Sequence, residues 1–408
     1  MYKFVLLIAA LGILFSFDSF AQKTSDQGQM IIYENEFWEE IKATCLEYRE
    51  KEEEPDPSFK MKLEAYELPE SIDEFETFWY NDPISQAWSG MCWCFATTSF
   101  LESEIFRIHG EKIKISELHT VYWEYVEKAR RYIRERGNSL FAQGSEPNAV
   151  TRMWKKYGCV PAEEYTGLEP DQKFHDHSVM YKEMKTYLES VKEDNAWNEE
   201  QALNTIKSIL NHHIGEPPKD FVYKGDVMTP KQFFDDVVRL NMDDYVLFMS
   251  LKEKPYWEKT IYDVPDNWWK SHDYYNVPLD DFMKLIKDAI KEGYTMSIGG
   301  DVSETGYSSH YEVAVVPDYD IPYEYIDENA RQFRFSNGTT TDDHGIHITG
   351  WKEDDNGMMW FLIKDSGSGS RNGPNKGYYF YREDYIKLKM MNVMMHKDAT
   401  KNILEKFE

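Results

Sequence analysis

Gln86-Ala-Trp-Ser-Gly-Met-Cys-Trp-Cys-Phe-Ala96 sets a cysteine, Cys92, at the start of an apolar-periodic segment, with a glutamine six residues upstream. From Met91 onward, Trp93, Ala96, Phe100, Leu101, Ile105 and Ile108 recur at helical spacing and predict one buried stripe. Ser89-Gly90 serves as the helix entry. A thiol at a helix N-terminus feels the positive end of the backbone dipole, which favours thiolate, the nucleophilic form. Helix-start cysteines can also be inert core residues. The remainder of the chain has to decide between the two.

The chain has 408 residues, enough for two or three structural units. It opens Met-Tyr-Lys, runs apolar from Phe4 to Phe17, and reaches Ser19-Phe20-Ala21 before Gln22. That pattern is a cleavable secretory signal, and the expected product is exported, periplasmic or extracellular, beginning at Gln22. The apolar run is short for a membrane span, and no later stretch resembles it, so no span is expected after signal removal. Acidic residues number 73 against 46 basic, a net charge of −27, which repels phosphate backbones and anionic lipid. Nucleic acid is therefore not an expected partner. Four cysteines, Cys45, Cys92, Cys94 and Cys159, are too few for a disulfide scaffold, and a Cys45–Cys159 bridge stays open. No spacing of His and Cys suits a structural zinc site, and no cofactor or metal is expected.

Composition divides the chain into a signal (1–21), a polar leader (22–60) ending in Glu-Lys-Glu-Glu-Glu-Pro-Asp-Pro, and a helical unit (61–169). A very polar, mostly helical insertion (170–276) and a strand-rich unit with a C-terminal tail (277–408) follow. Ser116 caps a predicted second helix, and residues 128–139 are basic and expected to be solvated. Asn148 to Tyr157 is a helix closed by Gly158, and Thr229-Pro230 starts another. Later come an amphipathic helix, Leu279 to Glu292, and strands at 294–301, 311–316, 345–351, 358–364 and 377–381. Helices first and antiparallel strands later imply an α+β unit.

A cysteine nucleophile needs a base, a group that orients the base, and oxyanion donors. His109, His119, His175, His177, His212, His213 and His272 lie in polar, solvated-looking segments, whereas His310 and His396 stay open. His344 and His347 stand together at the head of a strand in Asp342-Asp-His-Gly-Ile-His-Ile-Thr-Gly-Trp351. Residues two apart share a strand face, so the two histidines point opposite ways and only one can serve. The next strand ends at Asp365, which either orients the ring or merely opens the turn Ser366-Gly-Ser-Gly.

Together these stretches resemble the papain-like cysteine peptidases. Gln86…Ser-Gly-Met-Cys92-Trp is similar to that superfamily's glutamine–cysteine signature, His344-Gly-Ile-His-Ile-Thr-Gly-Trp to its histidine strand, and Ile363-Lys-Asp365-Ser…Gly377-Tyr-Tyr to its third active-site segment. Lys156-Tyr-Gly-Cys-Val-Pro161, Gly215-Glu-Pro-Pro, Thr229-Pro-Lys-Gln-Phe-Phe and Gly299-Gly-Asp-Val302 resemble the bleomycin hydrolase/aminopeptidase C branch. The resemblance covers roughly residues 65–400. It implies a two-lobed fold, a helical lobe carrying the Cys and an antiparallel β-barrel-like lobe carrying the His, with a helical insertion. It selects His344 over His347 and assigns Cys92 as nucleophile, His344 as base, Asp365 as orienting group and Gln86 as oxyanion donor. Aspartate stands where the family has asparagine, Gly367 where it has a shielding tryptophan, and Ser89 where many members have a disulfide cysteine. The implied activity is aminopeptidase hydrolysis of peptide substrates, with a papain-like endopeptidase or oligopeptidase, or a catalytically degenerate peptide-binding homologue, as alternatives. The branch also implies a homo-oligomer, and a C-terminal carboxylate that enters the cleft to hold the substrate's amine.

Overall fold

The computed structural model describes residues 25–45 and 57–407. The signal expected over residues 1–21 lies outside them. The leader is docked rather than trailing. Its strand β1 (Gly28–Ile31) and helix α1 (Glu36–Cys45) precede β2 (Ser58–Met61), which pairs antiparallel with β1. The amphipathic face of α1 explains the docking: Ile41 is fully buried, Trp38 packs on Trp88 and Phe37 on Phe174. A short strand β3 (Glu76–Thr77) leads on toward the glutamine–cysteine stretch.

Five helices make one half: α2 (Cys92–His109), α3 (Glu117–Arg134), α4 (Asn148–Tyr157), α5 (Ser178–Glu193) and α6 (Glu199–Ile214). Their ends follow local chemistry. Gly110 at φ 70° closes α2, the Ser116 hydroxyl accepts from the His119 N–H to cap α3, and Gly158 closes α4. Phe100, Leu101, Tyr125, Trp154, Met184 and Leu210 share one apolar core, so α5 and α6 pack into the same body as the nucleophile helix. The predicted stripe of α2 is buried through Ile105, whereas Ile108 emerges to 43% exposure. The basic segment 128–139 is not solvated along its length: Lys128, Ala129, Tyr132 and Ile133 face the core. Lys128 tolerates this because its ammonium donates to the carbonyls of Ala142, Gln143 and Gly144.

A hairpin of β4 (Phe221–Tyr223) and β5 (Asp226–Met228) precedes α7 (Pro230–Gln232), which opens with a capping box on Thr229 and passes into a π-turn over 233–238. The second half is one eleven-stranded sheet built from β3, β6 (Tyr245–Met249), β7 (Glu258–Thr260), β8 (Tyr274–Asn276), β9 (Met296–Gly300), β10 (Tyr307–Ser308), β11 (Val313–Ala314), β12 (His344–Glu353), β13 (Met359–Lys364), β14 (Tyr378–Arg382) and β15 (Met390–His396). Its order is β10-β11-β14-β13-β12-β9-β15-β6-β8-β7, with β3 beside β12; β11–β14 and β6–β8 are parallel and the other pairs antiparallel. Strands β6 to β8 come from the stretch expected to be a helical insertion. They join the sheet because β6 finds its partner in β15, near the chain's other end.

Helix α8 (Leu279–Lys291) covers one face of the sheet, against Ile298, Ile346 and Ile348, while α2 lies on the other face, where Met394 joins its core. The last helices are α9 (Glu328–Ser336), α10 (Glu383–Lys389) and α11 (Lys401–Leu404). Beyond α11, Lys406 pairs with Asp281 of α8, and Phe407 sits edge-on to Tyr275 at 4.8 Å. Residues 401–407 therefore lie on the α8 face, not in a cleft beside α2.

Candidate active site

Cys92 is the first residue of α2, and no side chain caps that helix; the Cys94 and Phe95 N–H groups turn back to the Met91 carbonyl at 2.9 and 3.1 Å. Strand β12 delivers His344 to the same place because its second residue is glycine. A Cβ on Gly345 would stand 3.2 Å from the Trp93 Cα, a tight contact, and 3.6 Å from the Cys92 carbonyl carbon, an ordinary one. The small residue after the histidine lets the strand touch the helix backbone.

His344 Nε2 lies 3.0 Å from Asp365 Oδ1, which leaves Nδ1 for Cys92, near enough to act on the charge of the ring. Asp365 Oδ1 accepts a second bond, 2.5 Å from the Gly367 N–H, and the carboxylate is almost wholly buried. Burial disfavours the imidazolium, but the Asp365 charge and then Cys92 outweigh it and hold His344 well above the usual histidine range. Burial likewise opposes the Asp365 carboxylate, yet His344 and the Gly367 N–H bring it below its usual range. A side chain at Gly367 would lie 3.6 Å from the imidazole, so the glycine leaves uncovered the edge where the family carries tryptophan.

Gln86 is tied to the same turn twice: its N–H donates to the Ser366 carbonyl at 2.9 Å, and its Oε1 accepts from the Ser366 hydroxyl at 2.7 Å. One N–H of its amide reaches the Ser89 carbonyl at 2.6 Å, and the other is left over. The structure thus brings Gln86, Cys92, His344 and Asp365 together from three separate stretches.

His347 points the other way, into the interior. The Lys364 ammonium donates to Ser99 Oγ at 2.8 Å, and Ser99 Oγ in turn lies 2.8 Å from His347 Nδ1. A hydroxyl can accept from the lysine and still donate its own proton to Nδ1 of a neutral ring. Burial and the neighbouring Lys364 push His347 well below its ordinary range, and burial brings Lys364 to about 8. Nothing in the local sequence pairs these three residues, because the contact is between two strands and a helix.

The other histidines are distributed differently from the sequence expectation. His119, His175 and His177 are buried, not solvated, and burial lowers them to about 3, 4 and 3. The His175–His177 segment bridges Trp88, with the Trp88 N–H donating to the His175 carbonyl and the His177 N–H to the Trp88 carbonyl, and this removes it from solvent. His310 is exposed beside Tyr311, and His396 ends β15 opposite Tyr245, away from Cys92. Cys94 and Cys159 are fully buried, and no disulfide joins any of the four cysteines, all of which lie among the described residues.

The sequence profile of the Peptidase C1-like family matches residues 142–408, well over half of the chain. The chain belongs to that family. It is a cysteine peptidase with a papain-like α+β fold. Aminopeptidase C of Lactococcus lactis subsp. cremoris is 23% identical over 370 residues, covering 80% of this chain and 84% of that protein. Aminopeptidase C of Streptococcus thermophilus is 24% identical over 372 residues, covering 78% and 81%. Among solved structures, PepW of Lactobacillus rhamnosis superposes with a TM-score of 0.62 at 18% identity, covering 82% of this chain and 85% of that one. In this Peptidase C1-like chain the profile match begins at the loop beside Cys92, where Gln143 Oε1 accepts from the Gly90 N–H at 2.9 Å.

Proposed function

We propose that this protein is an exported thiol aminopeptidase in which Cys92, His344, Asp365 and Gln86 carry the chemistry. The observation supporting this most strongly is the His344 ring, bonded through Nε2 to Asp365 and set beside Cys92 at the start of α2. In this mechanism Cys92 Sγ attacks the peptide carbonyl, forming the C–S bond. The oxyanion is held by the free Gln86 amide N–H and the Cys92 N–H. His344 passes its proton to the departing amine as the C–N bond breaks, then takes one from the water that hydrolyses the thioester. The names of the aminopeptidase C relatives support the N-terminal mode of cleavage, and Phe4–Phe17 before Ala21 supports export.

One observation favours an endopeptidase instead. Residues 401–407 pack on the α8 face, away from the start of α2, so this described stretch does not line the cleft beside Cys92. Hydrolysis of a free-amine peptide against its acetylated twin separates the two modes, since an aminopeptidase spares the acetylated one. A thiol-directed epoxide that labels wild type but not Cys92→Ser checks the nucleophile, and absence of labelling on wild type refutes it.

A further inference from the structure

The turn that follows Asp365, Ser366-Gly-Ser-Gly369, carries two glycines, whose backbone has wide conformational freedom. Its placement nevertheless decides where the carboxylate points. The Gly367 N–H donates to Asp365 Oδ1 at 2.5 Å, the same oxygen that faces the His344 ring. Part of the restraint on this turn is internal: the Gly367 carbonyl accepts from the Ser370 hydroxyl and from Arg371 Nη1, both at 2.8 Å. The rest comes from the leader, 333 residues earlier in the chain.

Asn35 stands at that junction. It is 4% exposed, and both polar atoms of its side chain are used. Oδ1 accepts from the Trp38 N–H at 3.0 Å, which caps the start of α1. Nδ2 donates to the Ser368 carbonyl and to the Tyr33 hydroxyl, each at 3.1 Å. A second bond crosses the junction in the opposite direction, from Asn372 Nδ2 to the Glu34 carbonyl at 2.9 Å. Two residues beyond Asn35, the Phe37 ring lies under the Arg371 guanidinium, 5.6 Å from ring centre to carbon. The leader can bear this load because α1 is itself held: Ile41 is fully buried, Phe37 meets Phe174 edge-on at 5.5 Å, and Trp38 meets Trp88 at 5.0 Å. A buried amide with its bonds made fixes one arrangement of the groups that it joins.

We infer that Asn35 is a positioning residue for the reaction, holding through Ser368 the turn whose Gly367 N–H aims Asp365 at His344. The leader then belongs to the working site and is not a separable arm. The inference rests on Asp365 being the group that orients His344. Without the Asn35 bond the glycine-bearing turn relaxes, and displacement of Asp365 Oδ1 weakens both the alignment of the imidazole and its hold on the proton.

Asn35→Ser separates this role from that of a helix cap. Serine caps a helix about as well as asparagine, but it has no amide to reach Ser368, so α1 keeps its start while the turn loses its tie. The assay is hydrolysis of a peptide anilide by the full-length protein from pH 5 to 11. In Asn35→Ser, kcat should fall about tenfold or more with KM little changed, and the alkaline limb of kcat/KM should move down by at least about half a unit. Asn372→Ala, which cuts the other bond of the junction, should move both in the same direction. In an Asp365→Asn background, Asn35→Ser should lower the alkaline limb no further, since the charge through which it acts is gone. A limb unmoved in both Asn35→Ser and Asn372→Ala overturns the inference, whatever happens to kcat. So does a limb shift that adds in full to that of Asp365→Asn. If Asp365→Asn itself leaves the limb in place, the reading of Asp365 falls first and takes the role of Asn35 with it.

Discussion

Replacing Asp365 by asparagine removes a charge from the site while leaving its hydrogen bonds in place. The Gly367 N–H and the imidazole both point at Oδ1, so the asparagine carbonyl oxygen takes that position and its NH2 turns away. What is lost is the attraction of a carboxylate for an imidazolium at 3.0 Å, in a site where the two side chains are 12% and 1% exposed. At an effective dielectric of about 20 this is roughly 5 kcal/mol, an upper bound. Measured shifts for such neighbours run to about 1–3 pH units, or some 1.4–4 kcal/mol. The alkaline limb of kcat/KM, where His344 gives up the proton needed by the leaving amine, should therefore fall by about 1–3 units in Asp365→Asn.

The sign for stability follows from the same shifts. A histidine raised on folding contributes stability that is complete below its unfolded pKa and disappears as pH rises through the folded one. The lowered Asp365 contributes above its unfolded pKa and loses this as pH falls through the folded one. Asp365→Asn should thus be most destabilised between the two unfolded values, at about pH 4 to 6.5, and approach wild type at high pH. The assay is hydrolysis of a peptide anilide from pH 5 to 11 under reducing conditions, with thermal unfolding across the same range. An alkaline limb that stays within about half a unit of wild type would falsify the assignment of Asp365 as the group that holds the imidazolium.

Other outcomes follow from the same geometry. Gln86→Ala should lower kcat by about 10²–10³-fold with KM little changed, as expected for a donor aimed at the oxyanion; a loss confined to KM would remove it from that role. Gly345→Val forces β12 away from Trp93, and because an ångström of misplacement can cost about 10²-fold, kcat should collapse while far-ultraviolet circular dichroism stays native. Activity near wild type would show that the close approach is not what aligns His344. Ser99→Ala leaves the Lys364 ammonium and His347 Nδ1 without their shared partner, and urea unfolding should register a loss of about 1–3 kcal/mol.

The elements nearest the chemistry were legible because their signals are local. Cys92 to His109 carries its own helical stripe and its closing glycine, and the strand from His344 alternates cleanly enough to turn His347 away from His344. What escaped the sequence depends on partners far along the chain. Tyr245 to Leu251 reads as an apolar run that could be a strand, but nothing near it announces that β15 will pair with it, and β7 and β8 read as part of a mostly helical insertion. Lys128 reads as a solvated charge until the loop at 142–144 brings it three carbonyl oxygens. His119, His175 and His177 count as polar in any pattern, yet a neutral imidazole is tolerated among aromatic rings. In the leader the amphipathic segment Phe37 to Tyr48 is legible, but the charge run after it reads as a linker and nothing local announces Trp88 and Phe174 as its partners.

Gly345 has one further consequence. In the proposed mechanism the thiol belongs to the helical half and its base to the sheet, and Gly345 lets that strand lie against the start of α2. Contacts between residues so distant in sequence form late, once both halves have condensed. A chain still folding holds a cysteine and a histidine but no hydrolase, so newly made copies crowded together do not digest one another's unfolded segments. Competence to cut arrives with the docking that makes the molecule itself hard to cut.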